Sequence, residues 1–373
     1  MINEMLQKKY SELLSSVDIQ INGSRPWDIK VHNLNLYRNV LLNGTLGFGE
    51  SYMKGWFDCD RLDLFLEKML KNNISIELGS LPLILGKVKS KLSNLQSMSR
   101  AFQVGEHHYD IGNDLFSLML DKTMMYTCGY WSEGVTSLEE SQIAKLDLVA
   151  TKLDLKPGMK VLDIGCGWGG AAKYLAANYG VSVIGITISK EQIEYAKQNT
   201  SNLDVEFRLM DYRDLNEKFD SIYSIGMFEA VGYKNYREYF QVVRSCLKDN
   251  GAFLLHTIGG NESTTTTDPW VEKYIFPNGM MPSAQQIAES SEGIFIFDDW
   301  QNIGTHYDKT LMCWFENFVS SYEEIKDKYN KEFYRMWTFW LLSSAANFRA
   351  RTLQLWQVLF SLEGSERPIK TYR

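Results

Sequence analysis

Between Gln142 and His256 five short apolar runs alternate with helical stretches. The runs are Lys160-Val-Leu-Asp163, Val181-Ser-Val-Ile-Gly-Ile186, Val205-Glu-Phe-Arg208, Ser221-Ile-Tyr-Ser-Ile225 and Ala252-Phe-Leu-Leu-His256. Strands that are apolar on both faces and joined by helices must lie in a mostly parallel sheet covered on both sides, a doubly wound α/β fold. The chain has 373 residues, of which 45% are hydrophobic and 23% charged, enough to bury such a core and unlike disordered or fibrous sequences.

The first hundred residues follow another pattern. Short helical segments alternate with turn signals at Asn22-Gly23-Ser24 and Asn43-Gly44, with no strand series. We therefore expect a small, mostly helical N-terminal domain over 1–100 and a larger domain carrying the sheet over 101–373. Residues 260 to 350 break the strand rhythm with Thr264 to Thr267, Asp268-Pro269 and many aromatics, which predicts a cap inserted over the ligand edge before Thr352 to Phe360 returns to the sheet. Leu81 to Arg100 spaces Leu81, Leu85, Val88, Leu92 and Leu95 around Lys87, Lys89, Lys91 and Arg100, an amphipathic basic helix suited either to a neighbouring domain or to a membrane surface. Through Gly105 there are thirteen Lys and Arg against ten Asp and Glu, although the whole chain carries −7. That balance disfavours nucleic acid as a partner. The start lacks a basic and apolar leader, the longest aliphatic stretch near it is Leu81 to Leu85, and the five cysteines are scattered without a CxxC pair. The expectation is a cytoplasmic protein with reduced thiols and no metal site. His107-His108 reads as a loop-ordering pair rather than a metal ligand set.

The first strand runs into Asp163-Ile-Gly165-Cys-Gly167-Trp-Gly169-Gly170, with a helix expected from Ala171. Such a loop lets backbone amides approach an anionic group at a helix N-terminus. The pattern also fits dinucleotide enzymes, but those place a carboxylate at the end of the second strand, where this chain reads Gly185-Ile-Thr-Ile-Ser189. Without that acid, ribose recognition falls to Thr187 or Gln192. The acid two residues before the first glycine, with Met210-Asp211-Tyr212 after strand three, resembles the motifs of class I methyltransferases that bind S-adenosylmethionine.

Five further stretches sharpen the resemblance: Glu106-His-His-Tyr-Asp-Ile-Gly-Asn-Asp114, Met125-Tyr-Thr-Cys-Gly-Tyr-Trp131, Gly226-Met-Phe-Glu-Ala-Val-Gly232, Leu255-His-Thr-Ile-Gly259 and Phe348-Arg-Ala-Arg-Thr-Leu-Gln-Leu-Trp-Gln357. With Trp270 to Asn278 and Tyr307-Asp-Lys-Thr-Leu-Met312 they resemble the bacterial cyclopropane-fatty-acyl-phospholipid synthases over nearly the whole chain. The resemblance implies a Rossmann-like fold and transfer of a methylene from S-adenosylmethionine to the cis double bond of an unsaturated membrane phospholipid, with bicarbonate as the base. It also implies a homodimer, peripheral on the inner face of the membrane. The residues matching the family's bicarbonate cradle are Cys128, Glu229, His256 and Tyr307, with the backbone of Ile258. By the same resemblance Tyr126 and Thr127 contact the methionine part, Gly165 and Gly167 the backbone-bound region, Ile188 and Gln192 the ribose side, and Asp211 and Tyr212 the adenine. The family often has cysteine where Ser344 stands here, so no catalytic thiol is expected in that segment. Two other readings remain: a related methyltransferase that leaves a methyl branch, and a lipid-surface binding module without chemistry.

Overall fold

A computed structural model describes residues 2–74, 112–200 and 202–367. Leu81 to Arg100 and most of the motif beginning at Glu106, His107-His108 included, lie outside these residues. The described chain divides into two compact units, one built from its N-terminal residues with Thr266–Pro277 and Leu311–Leu353, the other from the remainder.

The larger unit is built on a seven-stranded sheet. Its strands are β3 (Lys160–Ile164), β4 (Ser182–Thr187), β5 (Val205–Leu209), β6 (Phe219–Ile225), β7 (Leu247–Gly260), β8 (Ile296–Asn302) and β9 (Leu353–Ser361), in the order β5-β4-β3-β6-β7-β9-β8. The pairs β3–β4, β4–β5, β3–β6 and β6–β7 are parallel, and β8 runs antiparallel to β9 at the edge. The five predicted strands are all present. β7 extends beyond the predicted Ala252 to His256 at both ends, and β9 is the return strand expected near Thr352. β8 leaves little trace in the sequence because Ile-Phe-Asp-Asp-Trp-Gln-Asn is neither an apolar run nor a clean alternation, which suits a half-exposed edge.

Alternate strand residues face opposite cores, as the two-residue period of a strand requires. Leu162, Ile164, Ile222, Phe253 and Leu255 pack with Tyr239, Phe240 and Val243 of α8 (Tyr236–Cys246). Val161, Val183, Tyr223 and Leu254 face the other way, onto Leu146 and Val149 of α5 (Leu138–Leu153) and Leu175 of α6 (Gly170–Tyr179). α6 begins one residue before the predicted Ala171, because Gly169 turns the chain with φ of 82°. The sheet order reverses beside β3, and ligands in open α/β sheets bind in the crevice outside the strand carboxyl ends at such a reversal.

The other unit is helical apart from a two-stranded ribbon of β1 (Lys30–Val31) and β2 (Phe57–Asp58). Around it lie α1 (Ile2–Ser15), α2 (Asn35–Met53), α3 (Leu62–Lys71), α9 (Pro269–Tyr274), most of α11 (His306–Ile325) and α12 (Lys331–Arg349). The predicted turn at Asn43-Gly44 is a kink inside α2, where Gly44 has φ 55° and ψ −131°. Much of the expected cap, 266–277 and 311–353, belongs to this unit rather than to the sheet unit. Specific contacts account for the correction. The Trp270 ring lies on Gly49, where a Cβ would approach it to 2.4 Å. Arg335 of α12 bonds the carbonyl of Phe57 (2.7 Å) and the carboxylate of Asp58 (2.8 Å). Arg349 reaches Asp63 at 2.8 Å and Glu67 at 3.2 Å. Pairings this distant in sequence leave no periodic signal.

Asp63 is 1% exposed. Burial pushes its carboxyl up, but the guanidinium groups of Arg61 and Arg349 outweigh that and hold it below its ordinary value. Arg349→Met removes one of two guanidinium partners and leaves the Arg61 fork on the carboxylate at 2.9 and 2.8 Å. The substitution should cost about 2 kcal/mol of stability in denaturant titrations at pH 7, the worth of a hydrogen bond to a charged group. Because a depressed carboxyl contributes stability only while it is ionised, the loss should shrink as pH falls below about 4.

Candidate active site

The glycine loop leaves β3 at Gly165, which no residue with a side chain could replace: its φ is +86°, and a Cβ there would stand 2.6 Å from the Met227 side chain. The amides of Gly165 and Cys166 both donate to the Ile186 carbonyl, at 2.9 and 3.0 Å. Gly165 therefore shapes the cradle by close approach, with its own N–H used in the turn. Gly167 also has positive φ, +53°, with open space where a side chain would stand. Below the loop, burial pushes the Asp163 carboxyl up to about 7, and the Tyr223 hydroxyl donates to it at 2.9 Å.

At the end of β4 the Thr187 hydroxyl donates to Gln192 Oε1 at 3.0 Å, so the two polar residues expected near the ribose orient one another. Ile188 lies between the strand and α7 (Lys190–Gln198), which Ser189 caps. Past β5, Asp211 is forked by Arg213 at 2.8 and 2.7 Å, and the Tyr212 ring packs edge-on against Tyr239. Sequence reasoning misses Arg213, although a cation two residues after an acid is a local signal. Tyr126 packs edge-on against Phe116 of α4 (Asn113–Met119), and Phe116 packs on Trp168 of the glycine loop. Trp168 in turn donates to Asn113, near the end of the motif beginning at Glu106.

Glu229 sits in a short turn following β6, with Oε1 accepting the Ile258 amide at 2.6 Å. Its Oε2 is buried without a hydrogen-bond partner among the described residues, and burial pushes the carboxyl up to about 7. His256 pairs with Ile225 in the β6–β7 register and is 1% exposed. Its Nδ1 lies 3.3 Å from the Gln357 side-chain amide, and its Nε2 is buried without a hydrogen-bond partner among the described residues. Burial, with help from Lys145 and Lys152, holds the imidazole well below its usual range and therefore neutral. Ile258 is two residues beyond His256 on the same strand, and its N–H is taken up by Glu229.

Cys128 is fully buried, with Sγ 3.8 Å from the Thr310 hydroxyl, and burial pushes the thiol up to about 12. It is a neutral donor, not a thiolate. Tyr307, 7% exposed, lies one turn before Thr310 at the start of α11. Thr127 joins these two groups of residues. A Cβ on Gly226 would stand 2.7 Å from Thr127 Cγ2, and Gly226 donates its amide to the His256 carbonyl at 2.9 Å. The segment carrying Cys128 thus lies against the turn leading to Glu229. Sequence reasoning also misses Lys145, Gln142, Thr310 and Gln357, though Gln142 and Lys145 are polar residues on the core face of a helix, a detectable anomaly.

Among the described residues no helix is long and apolar enough to cross a membrane, and no group of three His, Cys, Asp or Glu is arranged to hold a metal. Comparison with known proteins places this geometry in context. Cyclopropane-fatty-acyl-phospholipid synthase of Escherichia coli strain K12 is 53% identical over 364 residues, covering 97% of this chain and 95% of its own. The tuberculostearic acid methyltransferase UfaA1 of Mycobacterium tuberculosis is 31% identical, covering 88% of this chain and 82% of its own. The solved mycolic acid cyclopropane synthase CmaA1, in complex with SAH and CTAB, superposes with a TM-score of 0.66 at 32% identity, over 70% of this chain and 98% of its own. With residues 96–358 matching the model of the mycolic acid cyclopropane synthetase family, the chain belongs to that family.

Proposed function

We propose that this protein is an S-adenosylmethionine-dependent transferase that converts the cis double bond of an unsaturated phospholipid acyl chain into a cyclopropane. Two buried orphan atoms carry the reading: Glu229 Oε2 and His256 Nε2, at the carboxyl ends of β6 and β7. Buried polar groups are normally satisfied, so such a pair marks a place for a small polar guest. The guest must also suit neutral donors, because Cys128 and His256 are both held uncharged. A planar anion the size of bicarbonate fits that set, and the 53% identical relative bears the name of this activity.

An alkene is a weak nucleophile, so the sulfonium methyl group must be held in line with it at near-attack distance. Transfer leaves a cationic carbon on the chain, and the ring closes when a proton leaves the delivered carbon. Bicarbonate, when bound, supplies the base for that proton. The residues around it do the rest. His256 Nε2–H donates to an anionic oxygen, Cys128 and Tyr307 add weakly acidic donors, and ionised Glu229 accepts a hydroxyl hydrogen, raising the basicity of the group that bears it. Ile258 holds the Glu229 carboxylate in place through its amide. Gly165 and Gly167, with Tyr126, Thr127, Thr187, Ile188, Gln192, Asp211 and Tyr212, form the proposed S-adenosylmethionine side.

UfaA1 is named a methyltransferase, which keeps a second reading open: the same delivery, after which the cation loses a proton from a neighbouring chain carbon and leaves a methyl-branched alkene instead of a ring. Both reactions add one carbon to the lipid, and a double-bond assay on the product separates them. Purified protein incubated with S-adenosylmethionine, bicarbonate and unsaturated phospholipid vesicles should yield a lipid heavier by one CH2 group and resistant to ozonolysis. Absence of both that lipid and S-adenosylhomocysteine would overturn the proposal.

Glu229→Gln should lower turnover by about 100-fold or more, the range for a lost proton-transfer partner, while S-adenosylmethionine affinity stays near the parent value. With the carboxyl at about 7, the ionised working form grows as pH rises, so kcat/KM should climb through neutrality and then level off in the parent enzyme. Equal loss of turnover and cofactor affinity would move Glu229 into the cofactor site.

We place the enzyme, as a homodimer, on the inner face of the membrane, with Leu81 to Arg100 as its basic contact. Replacing Lys87, Lys89 and Lys91 together by glutamine should weaken binding to anionic vesicles by about 1 kcal/mol per residue. Unchanged flotation with such vesicles would remove that segment from the membrane.

A further inference from the structure

A lysine stands in the middle of the sheet unit, held by neutral groups alone. Lys145 is 0% exposed, on the face of α5 turned to the core. Its Nζ donates to the Thr127 hydroxyl at 2.9 Å and to Gln142 Oε1, both neutral acceptors. Gln142 in turn donates to the Thr127 carbonyl at 2.8 Å, so the two side chains grip one residue from both sides. Among the described residues no Asp or Glu lies within ion-pair distance of Lys145. Asp121, whose charge reaches it without an ion-pair contact, accepts the Thr123 amide and hydroxyl on Oδ2 at 3.0 and 2.7 Å, and its Oδ1 is buried without a hydrogen-bond partner among the described residues.

A buried ammonium without a counter-ion is costly, and burial pushes this one down to about 7. Its surroundings show where a counter-ion would sit. The residue it grips is followed directly by Cys128, and its field is felt at both Cys128 and His256. Those are two of the groups around the orphan atoms of the proposed anion cradle. Among the described residues the four groups named for the proposed cradle, a thiol, a neutral imidazole, a phenol and a carboxyl, carry no positive charge. A carboxyl there repels a bound anion, so a compensating positive charge has to come from behind the cradle.

We propose that Lys145 is a positioning residue that supplies this charge: through Thr127 it holds the Cys128 segment in place, and through space it balances the anion bound among Cys128, Glu229, His256 and Tyr307. The inference rests on the bicarbonate reading above and deepens it. Gln142 belongs to the same device, because it is the acceptor that fixes the ammonium without neutralising it.

Two substitutions test the charge by opposite routes, and a third is the control. Lys145→Met removes it while keeping an apolar stem. Gln142→Glu leaves the lysine and gives it a resident counter-ion, at the loss of the donation to the Thr127 carbonyl. Gln142→Met gives up the same donation without adding a charge. Bicarbonate binding is read on the free protein by broadening of the 13C-bicarbonate resonance and by the bicarbonate-dependent rise in Tm, with chloride as the reference salt. Turnover is then followed against bicarbonate concentration. Lys145→Met and Gln142→Glu should each need at least about tenfold more bicarbonate for half-saturation, the ratio that 1.4 kcal/mol of lost binding gives, and show a smaller rise in Tm, whereas Gln142→Met, which loosens Thr127 but leaves the ammonium uncompensated, should keep a bicarbonate requirement close to the parent. A lysine that merely propped up the Tyr126 to Cys128 segment would make Gln142→Met and Gln142→Glu alike in their bicarbonate requirement. That result overturns the assignment, as does parental bicarbonate response in both Lys145→Met and Gln142→Glu. If Lys145→Met does not fold, Gln142→Glu decides by itself. If the parent protein shows no response to bicarbonate, the base reading fails, and this inference fails with it.

Discussion

The hydrogen bond from the Ile258 amide to Glu229 organises the chemical end of the sheet. It joins the turn after β6 to the last residues of β7, so the carboxylate is held by backbone rather than by a flexible side chain. His256 precedes that amide by two residues and takes its orientation from Gln357 on β9. Three neighbouring strands therefore fix one acid and one imidazole, each with a buried atom left open. A site built on paired strands keeps its geometry because moving any of its groups would break the ladder.

Burial then sets the protonation states. Cys128 and His256 are neutral, and the carboxyls of Asp163 and Glu229 sit at about 7 in the same unit. Water-poor surroundings that shift these groups would also protect the proposed cationic carbon from capture by solvent, so one property would serve both the acid–base balance and the proposed chemistry. Lys145 stands apart from these uncharged groups, a buried amine that neutral acceptors hold in place.

The helical unit follows a different logic. Its N-terminal helices do not close on themselves; α9, α12 and most of α11, hundreds of residues later, complete the unit. Asp63 beneath Arg349 and Gly49 beneath Trp270 are the points where this assembly is specified. Composition points to an inserted cap at 260–350 because aromatic-rich helices after a sheet look alike whichever core they join.

Much of the sheet unit is legible in the residues. Strands buried on both faces must be apolar throughout, so β3 to β7 announce themselves, and glycines with positive φ at 165 and 167 mark the loop between β3 and α6. Glu229, His256, Cys128 and Tyr307 are singled out by the resemblance of their motifs to a known family, since no periodicity marks them. Tertiary structure alone decides that Ile258 holds Glu229, that Thr127 lies on Gly226, that Gln357 orients His256 and that Lys145 meets Thr127 and Gln142 rather than a carboxylate. Most of these contacts join residues from distant parts of the chain, and hydrophobic periodicity records which face of an element is buried but not which neighbour it meets there.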